Sequence, residues 1–95
     1  MTFLDVPTVP GRAGWLAEVL ALAELHGWRA DILGQGFHAD LLILRRPRLV
    51  WVFVEPARGR LSKARMAHLL ELRACGQEAY VWRPEQILRV ERTLE

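Results

Sequence analysis

Apolar residues along the chain follow two periods, and the switches between them mark out the elements. From Gly11 to His26, Trp15, Leu16, Val19, Leu20, Leu22 and Ala23 recur at helical spacing, and Gly27 supplies the stop. Trp28 to Leu33 is short enough for a strand, and Gly34, Gln35 and Gly36 break it into a loop. Asp40 to Leu44 reads as a strand that is apolar on both faces after its first residue. Arg45, Arg46, Pro47 and Arg48 form the turn after it. Leu49 to Glu55 carries the strongest strand pattern, with Val50, Val52 and Val54 on one face and Leu49, Trp51 and Phe53 on the other. Such a strand is covered on both sides and so lies inside a sheet. After a loop at Arg58, Gly59 and Arg60, Ser62 is placed as the N-cap of a second helix. Met66, Leu69, Leu70 and Leu72 form its core-facing stripe, and Gly76 ends it. Glu78 to Trp82 is a further strand, and Pro84 opens a short terminal helix through Leu94. The order α-β-β-β-α-β-α predicts an α/β fold with a mixed sheet of about four strands, helices 12–26 and 61–75 packing on it.

The 95 residues, 52% hydrophobic and 25% charged, fit one globular domain over 1–95 with residues 1–10 as a lead-in. No apolar run approaches the ~18 residues that span a bilayer. The N-terminal residues lack a basic region followed by an apolar one, so no signal peptide is expected. A single cysteine, Cys75, excludes an internal disulfide framework and fits a reducing cytoplasm; it is expected to be a buried, unreactive thiol. Thirteen Lys+Arg against eleven Asp+Glu leave a net charge of only +2, but the cations are unevenly spread. Arg45, Arg46, Arg48, Arg58, Arg60, Lys63 and Arg65 fall within one stretch whose only acid is Glu55. A locally basic surface of this kind points to a polyanionic partner.

The predicted hairpin brings two acids together. With Leu44 opposite Leu49, Asp40 faces Phe53 and Glu55 is its diagonal neighbour, Cβ atoms within ~8 Å on one face. A register slipped by two residues sets Asp40 directly opposite Glu55. Either arrangement lets two carboxylates share one hard divalent cation. By spacing alone the plainer reading is a turn-forming aspartate and a solvated glutamate.

Four segments in order carry more than that spacing does. They are Gly36-Phe37-His38-Ala39-Asp40-Leu41-Leu42-Ile43-Leu44, then Val52-Phe53-Val54-Glu55-Pro56-Ala57, then Gly59-Arg60-Leu61-Ser62, then Leu72 through Pro84. Together with Leu22 to Trp28, this succession resembles the VRR-NUC family of the PD-(D/E)xK nuclease superfamily over roughly residues 12–90. The resemblance implies a restriction-endonuclease-like, metal-dependent DNA nuclease using Mg²⁺ or Mn²⁺. Asp40 and Glu55 would bind the metal with the Pro56 carbonyl as a further ligand. A metal polarises the phosphate and lowers the pKa of water, and a neighbouring cation stabilises the added charge.

The chain departs from the family pattern where the chemistry is most demanding. The catalytic lysine position is Ala57. The glutamine position falls on Arg65, and the first-helix glutamate falls near Arg12, with Glu18 one turn on. Ala39 stands where a proline is expected. Arg65 is the substitute cation, able to stabilise charge but not to act as a base. Two readings follow: a weak metal-dependent nuclease using Asp40, Glu55 and Arg65, or an inactive nuclease-like module that binds DNA or protein. On either reading Arg45, Arg46, Arg48, Arg58, Arg60 and Lys63 are the expected nucleic-acid contacts, and a homodimer is permitted. Restoring a lysine at Ala57 is expected to raise cleavage if the rest of the site is competent. His38 is read as a loop residue beside the acids. Trp15, Trp28, Trp51 and Trp82 are read as core residues.

Overall fold

The structure is a computed structural model that describes residues 11–34 and 36–95. The lead-in assigned to residues 1–10, and Gln35 in the glycine loop, lie outside the described residues. The chain runs α1 (Arg12–Leu25), β1 (Arg29–Ile32), β2 (Leu41–Arg45), β3 (Arg48–Val54), α2 (Lys63–Ala74), β4 (Glu78–Trp82), a 3-10 turn (Pro84–Gln86) and α3 (Ile87–Leu94). The four strands form one sheet in the order β1-β2-β3-β4, with two antiparallel pairs followed by a parallel one. The element order, the mixed sheet and the interior position of β3 agree with the reading of the sequence.

Alternation along β3 separates two cores. Val50, Val52 and Val54 meet Trp15, Val19 and Ala23 of α1 and Val90 and Leu94 of α3. Phe53 points the other way, into a smaller core with Ala39, Leu69 and Ala79, against which Trp51, Leu61 and Leu72 are half-buried. The buried positions of α1 fall at successive fourth residues, a single stripe facing the sheet. Two indole N–H groups are anchored in this layer: Trp15 Nε1 donates to the Trp82 carbonyl and Trp28 Nε1 to the Leu94 carbonyl, both at 2.8 Å. Gly27 and Gly76, both at positive φ, follow α1 and α2 where the sequence placed stops. Ser62 Oγ accepts from the Arg65 backbone N–H at 3.2 Å, the expected N-cap.

Several details differ from expectation. The stripe assigned to α2 is only partly internal: Leu69 is buried and Leu72 half-buried, while Met66 and Leu70 are exposed. Those two residues border the flank of the helix, where a groove of about 320 Å³ runs between α2, β4 and α3. Cys75 is exposed rather than buried, because it caps α2 on the solvent side. Trp15, Trp28 and Trp82 are core residues, but Trp51 is only half-buried, its Nε1 donating to Gln77 Oε1 at 3.3 Å. The β2–β3 connection is also tighter than expected. Arg45 pairs with Arg48 in the ladder, so only Arg46 and Pro47 lie between the strands.

Arg45 and Arg48 remain in the strands because their side chains have internal partners. Arg45 donates to the carbonyls of His26 (2.9 Å), Leu94 (3.0 Å) and Glu95 (2.7 Å). Arg48 grips Glu78 through Nε (2.9 Å) and Nη2 (2.7 Å) and donates to the Thr93 carbonyl at 2.9 Å. Both guanidiniums lie over the Trp28 ring, at 4.7 and 5.1 Å from its centroid. Cations at the last carbonyls of α3 also oppose its dipole. The Arg48 hydrogen bond holds the Glu78 carboxyl below its usual range against the opposing effect of burial. Burial pushes the neighbouring Tyr80 hydroxyl up, reinforced by its bond to Glu78. Among the described residues no helix is long and apolar enough to cross a membrane.

Candidate functional site

Asp40 and Glu55 meet at one end of the sheet, in the register read from the sequence. Leu44 pairs with Leu49 and Leu41 with Val52, and the Asp40 N–H donates to the Val52 carbonyl at 2.9 Å. Asp40 is thus the residue just before β2. Glu55 directly follows β3, and its N–H donates to the Trp82 carbonyl at 3.1 Å, extending the parallel ladder by one step. Glu55 is only 5% exposed and is the one charged residue in the buried class among those described.

A single guanidinium joins the two acids. Arg65, in the first turn of α2, donates from Nη1 to Glu55 Oε2 and from Nη2 to Asp40 Oδ2. Its Nε donates to the His38 carbonyl at 2.9 Å. All three guanidinium nitrogens are used, two on the stretch His38–Asp40 and one on Glu55, and the group lies 5.6 Å from the centroid of the Phe53 ring. From α1, Arg12 Nη2 donates to Asp40 Oδ1. The Val54 N–H completes the set, reaching Asp40 Oδ2 at 2.7 Å. Two carboxylates are therefore offset by two guanidiniums. The two Arg65 pairs are mostly withdrawn from water and so little weakened by screening, whereas the Arg12 side chain is 46% exposed.

The loop after β3 closes over the acids. Strand geometry ends at Val54, and Pro56 to Gly59 forms a turn in which the Gly59 N–H donates to the Pro56 carbonyl at 3.0 Å. Ala57 therefore sits in a turn rather than on a continued strand. Arg83 Nη2 holds the Gly59 carbonyl at 3.1 Å. A Cβ at Gly59 would come within 2.6 Å of the Pro56 ring and 2.7 Å of Glu55 Oε1, so only glycine allows this approach.

The basic stretch that looked continuous in sequence is divided in space. Arg45, Arg46 and Arg48 lie at the hairpin end, and seven residues of extended chain, about 23 Å, separate Arg48 from Glu55. Arg45 and Arg48 are occupied as described above, and Arg46 is exposed at the turn. Arg58, Arg60 and Lys63 lie in the loop and first residue of α2, beside the acids, and are exposed. Among the described residues Arg46, Arg58, Arg60 and Lys63 make no ion pair. His38 is exposed, its ring 5.3 Å from that of His68, which in turn lies 6.1 Å from Phe53. Glu18 is exposed on α1, and the contact to Asp40 comes from Arg12 instead. The family resemblance put a site position near Arg12, but its pairing with Asp40, and His68 behind His38, were not legible, because both relations join segments far apart in sequence.

No family model matches the chain, and no curated protein matches it in sequence. Among solved structures it matches Hjc, a Holliday junction resolvase from the archaeal hyperthermophile Archaeoglobus fulgidus, with a TM-score of 0.55 and 21% identity. The match covers 72% of this chain and 66%, just under two thirds, of that chain. The chain has a restriction-endonuclease-like fold. In a restriction-endonuclease-like site the family resemblance places a divalent ion between Asp40 and Glu55. The donor set here does not fit one. Both oxygens of Asp40 and Oε2 of Glu55 already accept from N–H groups, and Oε1 lies on the Gly59 side of a residue that is only 5% exposed. The Pro56 carbonyl, the further ligand expected from sequence, is turned into its own loop by the Gly59 N–H. A cation placed between the acids would also meet the fixed positive charge of Arg65. Among the described residues no group of three or more His, Cys, Asp or Glu side chains could hold a metal ion.

Proposed function

We propose that this chain is a DNA-binding module on a nuclease fold, in which arginine stands where the metal would lie and phosphodiester cleavage is lost. The observation that carries this reading is the Arg65 guanidinium bridging Asp40 and Glu55, with Arg12 on the other oxygen of Asp40. Neutralised carboxylates no longer repel a phosphodiester. Arg58, Arg60 and Lys63 then dominate the potential at this end of the molecule. The order of sequence segments supports a VRR-NUC ancestry within the nuclease superfamily, and Ala57 in place of the catalytic lysine agrees with loss of cleavage. The alternative, a metal-dependent nuclease, requires Arg65 to leave both carboxylates. A homodimer would extend the basic surface but is not needed for the reading.

The test is anisotropy of a fluorescent duplex at low salt, with chelator and with Mg²⁺ or Mn²⁺, followed by electrophoresis of the DNA. Binding that is indifferent to chelator, with the DNA left whole, is the expected result. Metal-dependent product that disappears in Asp40→Asn would restore the nuclease reading.

A further inference from the structure

We propose that Phe37 is a stacking platform for an unpaired base, so that this chain prefers DNA containing unpaired nucleotides to continuous duplex. The inference rests on the DNA-binding reading and narrows its substrate. Among the described residues Phe37 is the aromatic side chain most open to solvent, at 58% exposure. Trp15, Trp28, Phe53 and Trp82 are buried, and Trp51 and Tyr80 are half-buried. An exposed phenyl ring costs hydration free energy, and neither core contains Phe37.

Its setting is braced and cationic. The Phe37 N–H donates to the Gly34 carbonyl at 3.3 Å, and the next carbonyl, that of His38, is held by Arg65 Nε. From the next residue in the chain, the His38, His68 and Phe53 rings form a ladder from surface to core, adjacent rings tilted by 50° and 57°. The backbone that carries Phe37 is thus held before binding, which lowers the ordering cost when a base stacks on its ring. The same Arg65 ties this loop to the start of α2, where Lys63 and the preceding Arg60 are exposed. Phosphates drawn to those cations bring their bases to the end of the sheet that bears Phe37. Bases inside a duplex are already stacked on each other and present no face. Unpaired bases present one, and aromatic side chains take it with little regard to sequence.

The experiment compares a plain duplex, a single strand of equal length, and a duplex with one bulged 2-aminopurine. Each is titrated with the natural chain, Phe37→Ala, Phe37→Trp and the triple substitution Arg58→Gln, Arg60→Gln, Lys63→Gln. The natural chain is expected to bind single-stranded and bulged DNA more tightly than duplex and to quench 2-aminopurine. Phe37→Ala should weaken those two complexes by about 5- to 100-fold, abolish the quenching and leave duplex affinity unchanged. Phe37→Trp should retain both effects. An unchanged thermal midpoint for Phe37→Ala establishes that the fold is intact. If DNA binds through Arg58, Arg60 and Lys63 but Phe37→Ala alters every substrate equally or none, the stacking inference is overturned and the binding reading stands. If no DNA binds at low salt, the DNA-binding reading itself fails.

Discussion

Replacing Arg65 by methionine keeps the aliphatic stem and removes the guanidinium. The side chains of Arg65, Asp40 and Glu55 are 19%, 14% and 6% exposed, so the network is mostly withdrawn from water. Removing one partner from a buried pair costs ~3–5 kcal/mol, because the remaining charge is left uncompensated. Asp40 keeps Arg12 and the Val54 N–H, whereas Glu55 loses its only salt-bridge partner among the described residues. The lower end of that range, about 3 kcal/mol, is therefore expected. For a domain of this size it corresponds to a fall of roughly 12–24 °C in Tm. Urea unfolding followed by tryptophan fluorescence measures it directly. Combining Arg65→Met with Glu55→Gln should recover part of the loss, with a coupling energy on the order of 2 kcal/mol. A loss below about 1 kcal/mol for Arg65→Met, the range of exposed ion pairs, would refute the enclosed network.

Gly59→Ala should destabilise the chain by ~1–3 kcal/mol in the same assay, because its methyl group would collide with the Pro56 ring and the Glu55 carboxylate. Glu78 has its carboxyl lowered by Arg48, so its contribution to stability is present at neutral pH. That contribution fades as pH falls from the ordinary carboxylate range through the lowered value. The pair is about one-third exposed, so Arg48→Gln should remove only about 0.5–1 kcal/mol of this acid-sensitive stability, read from urea midpoints at about pH 7 and about pH 3. Neutralising Arg58, Arg60 and Lys63 together should lower the slope of log K for DNA against log salt by ~2–3, at ~0.9 per phosphate contact, whereas Arg46→Gln should leave it unchanged.

Much of the fold is legible in the chain because β3 displays both of its faces. The alternation of valines with Leu49, Trp51 and Phe53 assigns α1 and α3 to one side and α2 to the other. The hairpin register is legible too, since pairing Leu44 with Leu49 carries Asp40 to the end of the sheet where Glu55 lies. Side-chain destinations are less accessible. Arginines 45 and 48 look identical in sequence to arginines 58 and 60, yet one pair ends on carbonyls of α3 and on Glu78 while the other is open to solvent. The distinction depends on where the chain beyond residue 90 returns, which local pattern does not encode. Arg65 was identifiable as a substitute cation from the family resemblance, because it falls at the glutamine position while the lysine position is Ala57. That it bridges both carboxylates, and that Arg12 joins it, follows only once α1 and α2 are set against the sheet. Exposure of Met66 and Leu70 has the same origin: helical spacing marks an apolar stripe, but the width of sheet beneath it determines how much is covered.

The central claim is that Arg65 occupies the cation position between Asp40 and Glu55. Titrating Mn²⁺ into the natural chain, with binding read by the loss of its free paramagnetic signal, tests this most directly. No saturable uptake is predicted at millimolar metal, and Asp40→Asn should give the same trace. Saturable binding of one ion by the natural chain, abolished by Asp40→Asn, would contradict it.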